Sequence, residues 1–112
     1  MPQTDLDLLR GTFDLLALKA LSWGPMHGLG VLRWIERASA ARLQITEGAL
    51  YPALHRMEQR GWLAAEWGLT DRNRQAKFYS LTEQGRAALA TEIGRWSRYA
   101  ETVSLVLAAR GA

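Results

Sequence analysis

The sequence predicts a mainly α domain with a small β-hairpin, closed by a long C-terminal helix. Three observations predict it. Apolar residues recur at helical spacing in three segments before Gly61, two short extended runs flank a polar and basic stretch from Leu69 to Gln75, and the last segment steps its apolar residues by alternating fours and threes. A chain of 112 residues suits one domain with a core of its own.

The first helix is read from LLRGTFDLLALKALSWG. One apolar set is Leu9, Phe13, Leu16, Ala20 and Trp23, and a second is Leu8, Leu15, Leu18 and Leu21. Two apolar faces require cover from two sides. Gly24 and Pro25 end this helix, because Gly suits a cap and Pro cannot continue the ladder. A second helix follows in HGLGVLRWIERAS, where Leu29, Leu32 and Ile35 alternate with Arg33 and Glu36, although two glycines weaken its start. RLQIT places Leu43 and Ile45 on one side of an extended backbone, which reads as a brief strand.

The third helix lies in TEGALYPALHRMEQRGWL and ends at Gly61. Thr46 is its N-cap and Glu47 complements the helix dipole in the first turn. Leu50, Leu54 and Met57 form an inward stripe, which leaves Ala49, Tyr51, Pro52, His55, Arg56 and Gln59 on other faces. Pro52 is tolerable only if regular helix begins close to Gly48; otherwise the first turns are distorted. Past Gly61, WLAAEWG and AKFYSLT read as two strands of a hairpin with a long tip.

Thr82 caps the last helix. Leu89, Ile93, Trp96, Ala100, Val103 and Leu107 form a heptad seam of about three repeats. No other segment is long enough to satisfy that seam, so these six residues are expected at a homodimer interface, with the two-faced first helix supplying further surface. Trp23, Trp34, Trp62 and Trp67 are read as core or hairpin packing, and Tyr79 as support for the hairpin.

Composition narrows the function. There is no cysteine, which excludes disulfides, thiolate zinc sites and thiol catalysis. No positively charged start leads into an apolar run and no stretch approaches a membrane span, so a cytoplasmic protein is expected. His27 and His55 have no partners at metal-ligand spacing and are expected to cap or hydrogen-bond, not to hold a metal. Neither the glutamates nor the serines form a catalytic constellation, and HGLGVL lacks the spacing of a phosphate loop. Neither an enzyme nor a cofactor is predicted.

The net charge is +3, and its distribution says more than its size. Residues 1–40 balance four cations with four acids, whereas Asp71 to Lys77 holds Arg72, Arg74 and Lys77 against one acid. A local basic loop on a nearly neutral body suggests an anionic partner met at one place. Three helices followed by a hairpin with a cationic tip make a winged helix-turn-helix, which lays its third helix in the DNA major groove and its wing along phosphates. The expected division is residues 1–81 as the DNA-binding part and 82–112 as the dimerisation helix, packed as one unit.

GPMHG at Gly24 to Gly28, GALYPALHRMEQRGWL at Gly48 to Leu63 and KFYSLTEQGR at Lys77 to Arg86 together resemble the hallmark segments of PadR-type transcriptional regulators, in the form with a single C-terminal helix. Leu29 departs from that family, which usually has Tyr after HG. The resemblance implies a homodimeric bacterial regulator, usually a repressor, on a roughly palindromic double-stranded operator. It implies DNA contacts at Thr46, Gly48, Ala49, Tyr51, Pro52 and Arg56 on the helix and at Arg72, Asn73, Arg74 and Lys77 on the wing. Tyr51 either reaches a phosphate or sugar or packs on the wing. Multidrug-sensing relatives sandwich flat apolar ligands at the dimer interface. By that likeness Phe13, Leu16 and Trp96 would line a pocket for a small aromatic inducer; otherwise Trp96 only fills the dimer core.

Overall fold

A computed structural model describes residues 11–111. The elements run α1 (Thr12–Leu21), β1 (Met26–His27), α2 (Gly28–Ala38), α3 (Glu47–Gln59), β2 (Leu63–Leu69), β3 (Gln75–Leu81) and α4 (Glu83–Ala108). Leu8 and Leu9, expected in the first helix, lie outside the described residues. Gly11 precedes α1 with φ of 86°, a conformation that suits glycine.

Members of both apolar sets of α1 are buried within the chain, whereas Trp23 lies past the end of the helix and is exposed. Phe13, Ala17, Leu18, Ala20 and Leu21 are buried among α2, α3, α4 and β3. Val31 and Ile35 of α2 and Leu50, Ala53, Leu54 and Met57 of α3 complete the core, and Leu63 and Tyr79 close it from the sheet. Tyr79 thus supports the hairpin as expected. His27 caps α2, its Nδ1 accepting from Gly30 N at 3.2 Å, and its ring meets Phe78 edge-on at 5.5 Å.

The sheet differs from expectation in three places. RLQIT forms no strand: Leu43 and Ile45 do turn inward, but their backbone has no neighbour to ladder with. The third strand is instead Met26–His27, antiparallel to β3 with Met26 opposite Tyr79, giving the order β1-β3-β2. The hairpin tip is short, because Leu69 pairs with Gln75. Thr70 N donates to Arg74 O at 2.8 Å and Asn73 N to Thr70 O at 2.8 Å, with Asn73 at φ 61°. Asn is among the few non-glycine residues that adopt this left-handed backbone readily.

α4 docks only by its start. Thr82 Oγ1 donates to Gly61 O at 2.6 Å and accepts from Gly85 N at 3.0 Å, while Thr82 N donates to Trp62 O at 3.1 Å. Gly85 is buried against the Trp62 carbonyl, where a Cβ would collide with backbone. Ala88 and Leu89 still touch the core. Beyond them the helix passes α1 across a groove and then leaves the body.

Candidate nucleic-acid interface

α3 runs unbroken through Pro52. The helix begins at Glu47, beside Gly48, so Pro52 falls early enough to be accommodated; the bond it omits is the one that the Gly48 carbonyl would accept. Thr46 Oγ1 accepts from Ala49 N at 3.2 Å, which satisfies one free donor of the first turn. At 3.6 residues per turn, the spoke of α3 farthest from Leu50, Leu54 and Met57 holds Gly48, Pro52, His55 and Gln59, all exposed. A Cβ on Gly48 would meet Thr46 Oγ1 no closer than 3.8 Å, so a ligand can approach its backbone. His55 and Gln59 are the two hydrogen-bonding side chains on that spoke.

Tyr51 and Arg56 sit on the flanks of this spoke. Tyr51 lies against Gly28: a Cβ there would come within 2.7 Å of the Tyr51 ring, so the glycine of the HG pair makes room for the tyrosine of LYP. Tyr51 packs on α2 while remaining 43% exposed. On the opposite flank Arg56 and Arg60, one turn apart, each approach Asp14 of α1 at 3.8 Å. Burial raises the Asp14 carboxyl above its ordinary value, against the lowering pull of the two arginines.

The wing presents Arg72, Asn73 and Arg74 as exposed residues. Thr70 Oγ1 accepts from Arg72 N and Arg74 N, each at 3.2 Å, and so sets the backbone from which both cations project. Lys77 is different. Its Nζ donates to Glu58 Oε1 at 3.1 Å and lies over the Tyr79 ring at 5.6 Å. The bond to Glu58 raises its pKa, and its charge ties β3 to α3.

Trp23 and Trp67, expected in packing, are 68% and 67% exposed; Lys19 Nζ covers one face of Trp23 at 5.4 Å. Trp34 and Trp62 are half-buried against the core. Trp96 borders a groove of about 750 Å³ between α1 and α4, with Asp14, Leu15, Trp62, Glu92 and Tyr99. Leu15 takes the place expected of Phe13 and Leu16, which turn toward the core of their own chain. Along the seam Ala100 is half-buried, whereas Ile93 and Trp96 are 42% exposed and Leu107 is 80% exposed. No helix among the described residues is long and apolar enough to cross a membrane.

Residues 17–91 match the family model described as Transcriptional regulator PadR-like family. The chain is 41% identical over 67 residues to Transcriptional regulator Rv3488 of Mycobacterium tuberculosis, an overlap of 60% of this chain and 59% of that protein. Among solved structures, a PadR family transcriptional regulator from Eggerthella lenta superposes with TM-score 0.78 at 27% identity, covering 90% of this chain and 86% of that one. A transcriptional regulator from Clostridium thermocellum shares the fold with TM-score 0.77 at 22% identity, over 85% of this chain and 92% of the other.

Proposed function

The chain belongs to the PadR-like family of transcriptional regulators, and from that premise we propose that it is a cytoplasmic, bacterial, DNA-binding homodimer that represses by occupying a palindromic operator. The observation that carries the reading is the open outer spoke of α3, with Tyr51 on its flank lining one cleft together with the cationic wing. α3 enters the major groove with Gly48, Ala49 and Pro52 leading, because small residues there let the backbone approach. Thr46, whose hydroxyl hydrogen remains available, and Tyr51 reach phosphates beside it, and Arg72, Asn73 and Arg74 hold the backbone from the wing. Arg56 joins them by turning from Asp14. Residues 12–81 do this work, while the seam of α4 from Leu89 to Leu107 joins two copies. The two-fold axis then sets two recognition helices roughly 34 Å apart, one turn of DNA.

The test is fluorescence-anisotropy binding to the DNA upstream of the chain's own gene, against scrambled DNA, across a salt series. Preference for the native fragment with steep weakening by salt is expected. Binding that ignores both sequence and salt would reject the reading.

The groove at Trp96 favours a second, ligand-gated reading. Trp62, Trp96 and Tyr99 supply aromatic faces, while Asp14 and Glu92 are answered by Arg60 and Arg95, a lining suited to a planar aromatic molecule. Quenching of tryptophan fluorescence by such a compound, together with release of DNA, is the expected result; quenching without release would leave the regulator ungated.

A further inference from the structure

The cleft beside α3 has a volume of about 710 Å³, and its two walls come from separate parts of the chain. One wall carries Arg33 of α2 and Tyr51 of α3; the other is the wing, with Trp67, Arg72, Arg74 and Lys77. Lys77 is already neutralised by Glu58. Arg33, Arg72 and Arg74 are in no ion pair among the described residues, and Asp71 is the one acid in the lining. Unpaired cations therefore face each other across a space that holds a large aromatic ring, 67% exposed, which nothing in the core requires. A surface Trp flanked by arginines suits a polyanion with an apolar element between its charges, and a nucleic-acid strand alternates phosphate with sugar.

We propose that this cleft grips the sugar–phosphate backbone of one DNA strand, with Arg33 as a phosphate contact opposite the wing arginines and Trp67 packed on a deoxyribose. The proposal rests on the DNA-binding reading above. It moves part of the affinity from the wing to α2, and it makes Lys77 a strut that holds the cleft open instead of a phosphate contact. Backbone contacts position the protein and carry no sequence information, so the cleft grips any sequence.

The experiment uses the full chain and a short fluorescein-labelled duplex of random sequence, titrated by anisotropy at several salt concentrations. Arg33→Ala is expected to lower the slope of log affinity against log salt by about one unit. Arg37→Ala, one turn further along α2, exposed and outside the cleft, leaves the slope unchanged. Trp67→Ala weakens binding with the slope preserved, because it removes packing and no charge. Thermal melting of each variant followed by circular dichroism verifies that the fold persists. An unchanged slope in Arg33→Ala, or equal losses in Arg33→Ala and Arg37→Ala, overturns the proposal while the DNA-binding reading stands. A wild-type chain that binds no duplex at low salt overturns both.

Discussion

Helices α3 and α4 are both amphipathic in sequence, yet they end up in opposite conditions. In α3 the inward residues Leu50, Ala53, Leu54 and Met57 are all but sealed from solvent. In α4, a helix of 26 residues, the one buried residue is Gly85, and the large apolar side chains from Ile93 onward stay exposed. The periodicity that builds a core in one helix therefore builds a surface in the other. Apolar area stabilises only when water leaves it, so the distal half of α4 contributes little to the isolated chain. A contiguous exposed apolar strip on a small protein marks a place where another surface fits, and this is the physical ground for proposing a dimer along the seam.

The variant that breaks the comparison most directly is Trp96→Glu. It places a charge at the middle of the seam and touches nothing in the core. Light scattering after size exclusion should show the mass falling from two chains to one. A dimer that survives would move the interface elsewhere and reduce the seam to an ordinary exposed face.

Next in size is a pair of truncations made in that monomeric background. Leu54→Ala leaves a cavity at the centre of the core and should cost about 2–5 kcal/mol in urea unfolding. Leu107→Ala removes similar apolar bulk from a side chain 80% exposed, and should shift stability by less than about 0.5 kcal/mol. Equal costs would mean that the end of α4 folds back on its own domain.

Two glycines within α4 make a finer test. Gly85→Ala drives a methyl group into the Trp62 carbonyl, which backbone cannot evade easily, and should cost about 1–3 kcal/mol. At Gly94 the nearest atom is the far end of the flexible Arg98 side chain, at 3.3 Å. Gly94→Ala should therefore gain about 0.5–1 kcal/mol of helix propensity. The same substitution, nine residues apart on one helix, changes sign where the helix leaves the body.

What was legible in the sequence follows the same division between long and short range. The seam could be read because its period persists for about three heptads, and α3 because cap, stripe and Gly61 agree. Met26–His27 could not be read as a strand, since two residues have no period. RLQIT looked like one because alternation reports one-sided burial, and burial without a partner strand makes no ladder. The wing cations were visible as a charge run. The commitments of Lys77 to Glu58 and of Arg56 to Asp14 join residues 19 and 42 positions apart, and no local pattern encodes them. Arg33 was hidden for the same reason, being one charge of a balanced segment until folding set it opposite the wing. Nothing in the sequence ties the HG pair to Tyr51; only the packed ring reveals that Gly28 is kept small for it.

The smallest effect concerns what holds the α1 flank of α3. Asp14 lies between Arg56 and Arg60, its side chain 15% exposed, while the two arginines are about half exposed and 3.8 Å away. At that distance solvent screens much of the attraction. Burial leads the causes acting on Asp14 and Glu92 adds to it, so the folded-state pKa lies above the ordinary 3.8. A carboxyl raised in this way favours the folded state while protonated. Its contribution is fully present below the unfolded value and is lost as pH rises through the folded one. Asp14→Asn should thus match the wild type in urea unfolding below pH 3.8 and be slightly more stable at neutral pH. If the variant is instead the weaker protein at neutral pH, the two arginine pairs outweigh the burial of the carboxylate. Asp14 would then be an anchor of the recognition helix, and losing it should also loosen Arg56 and change DNA affinity.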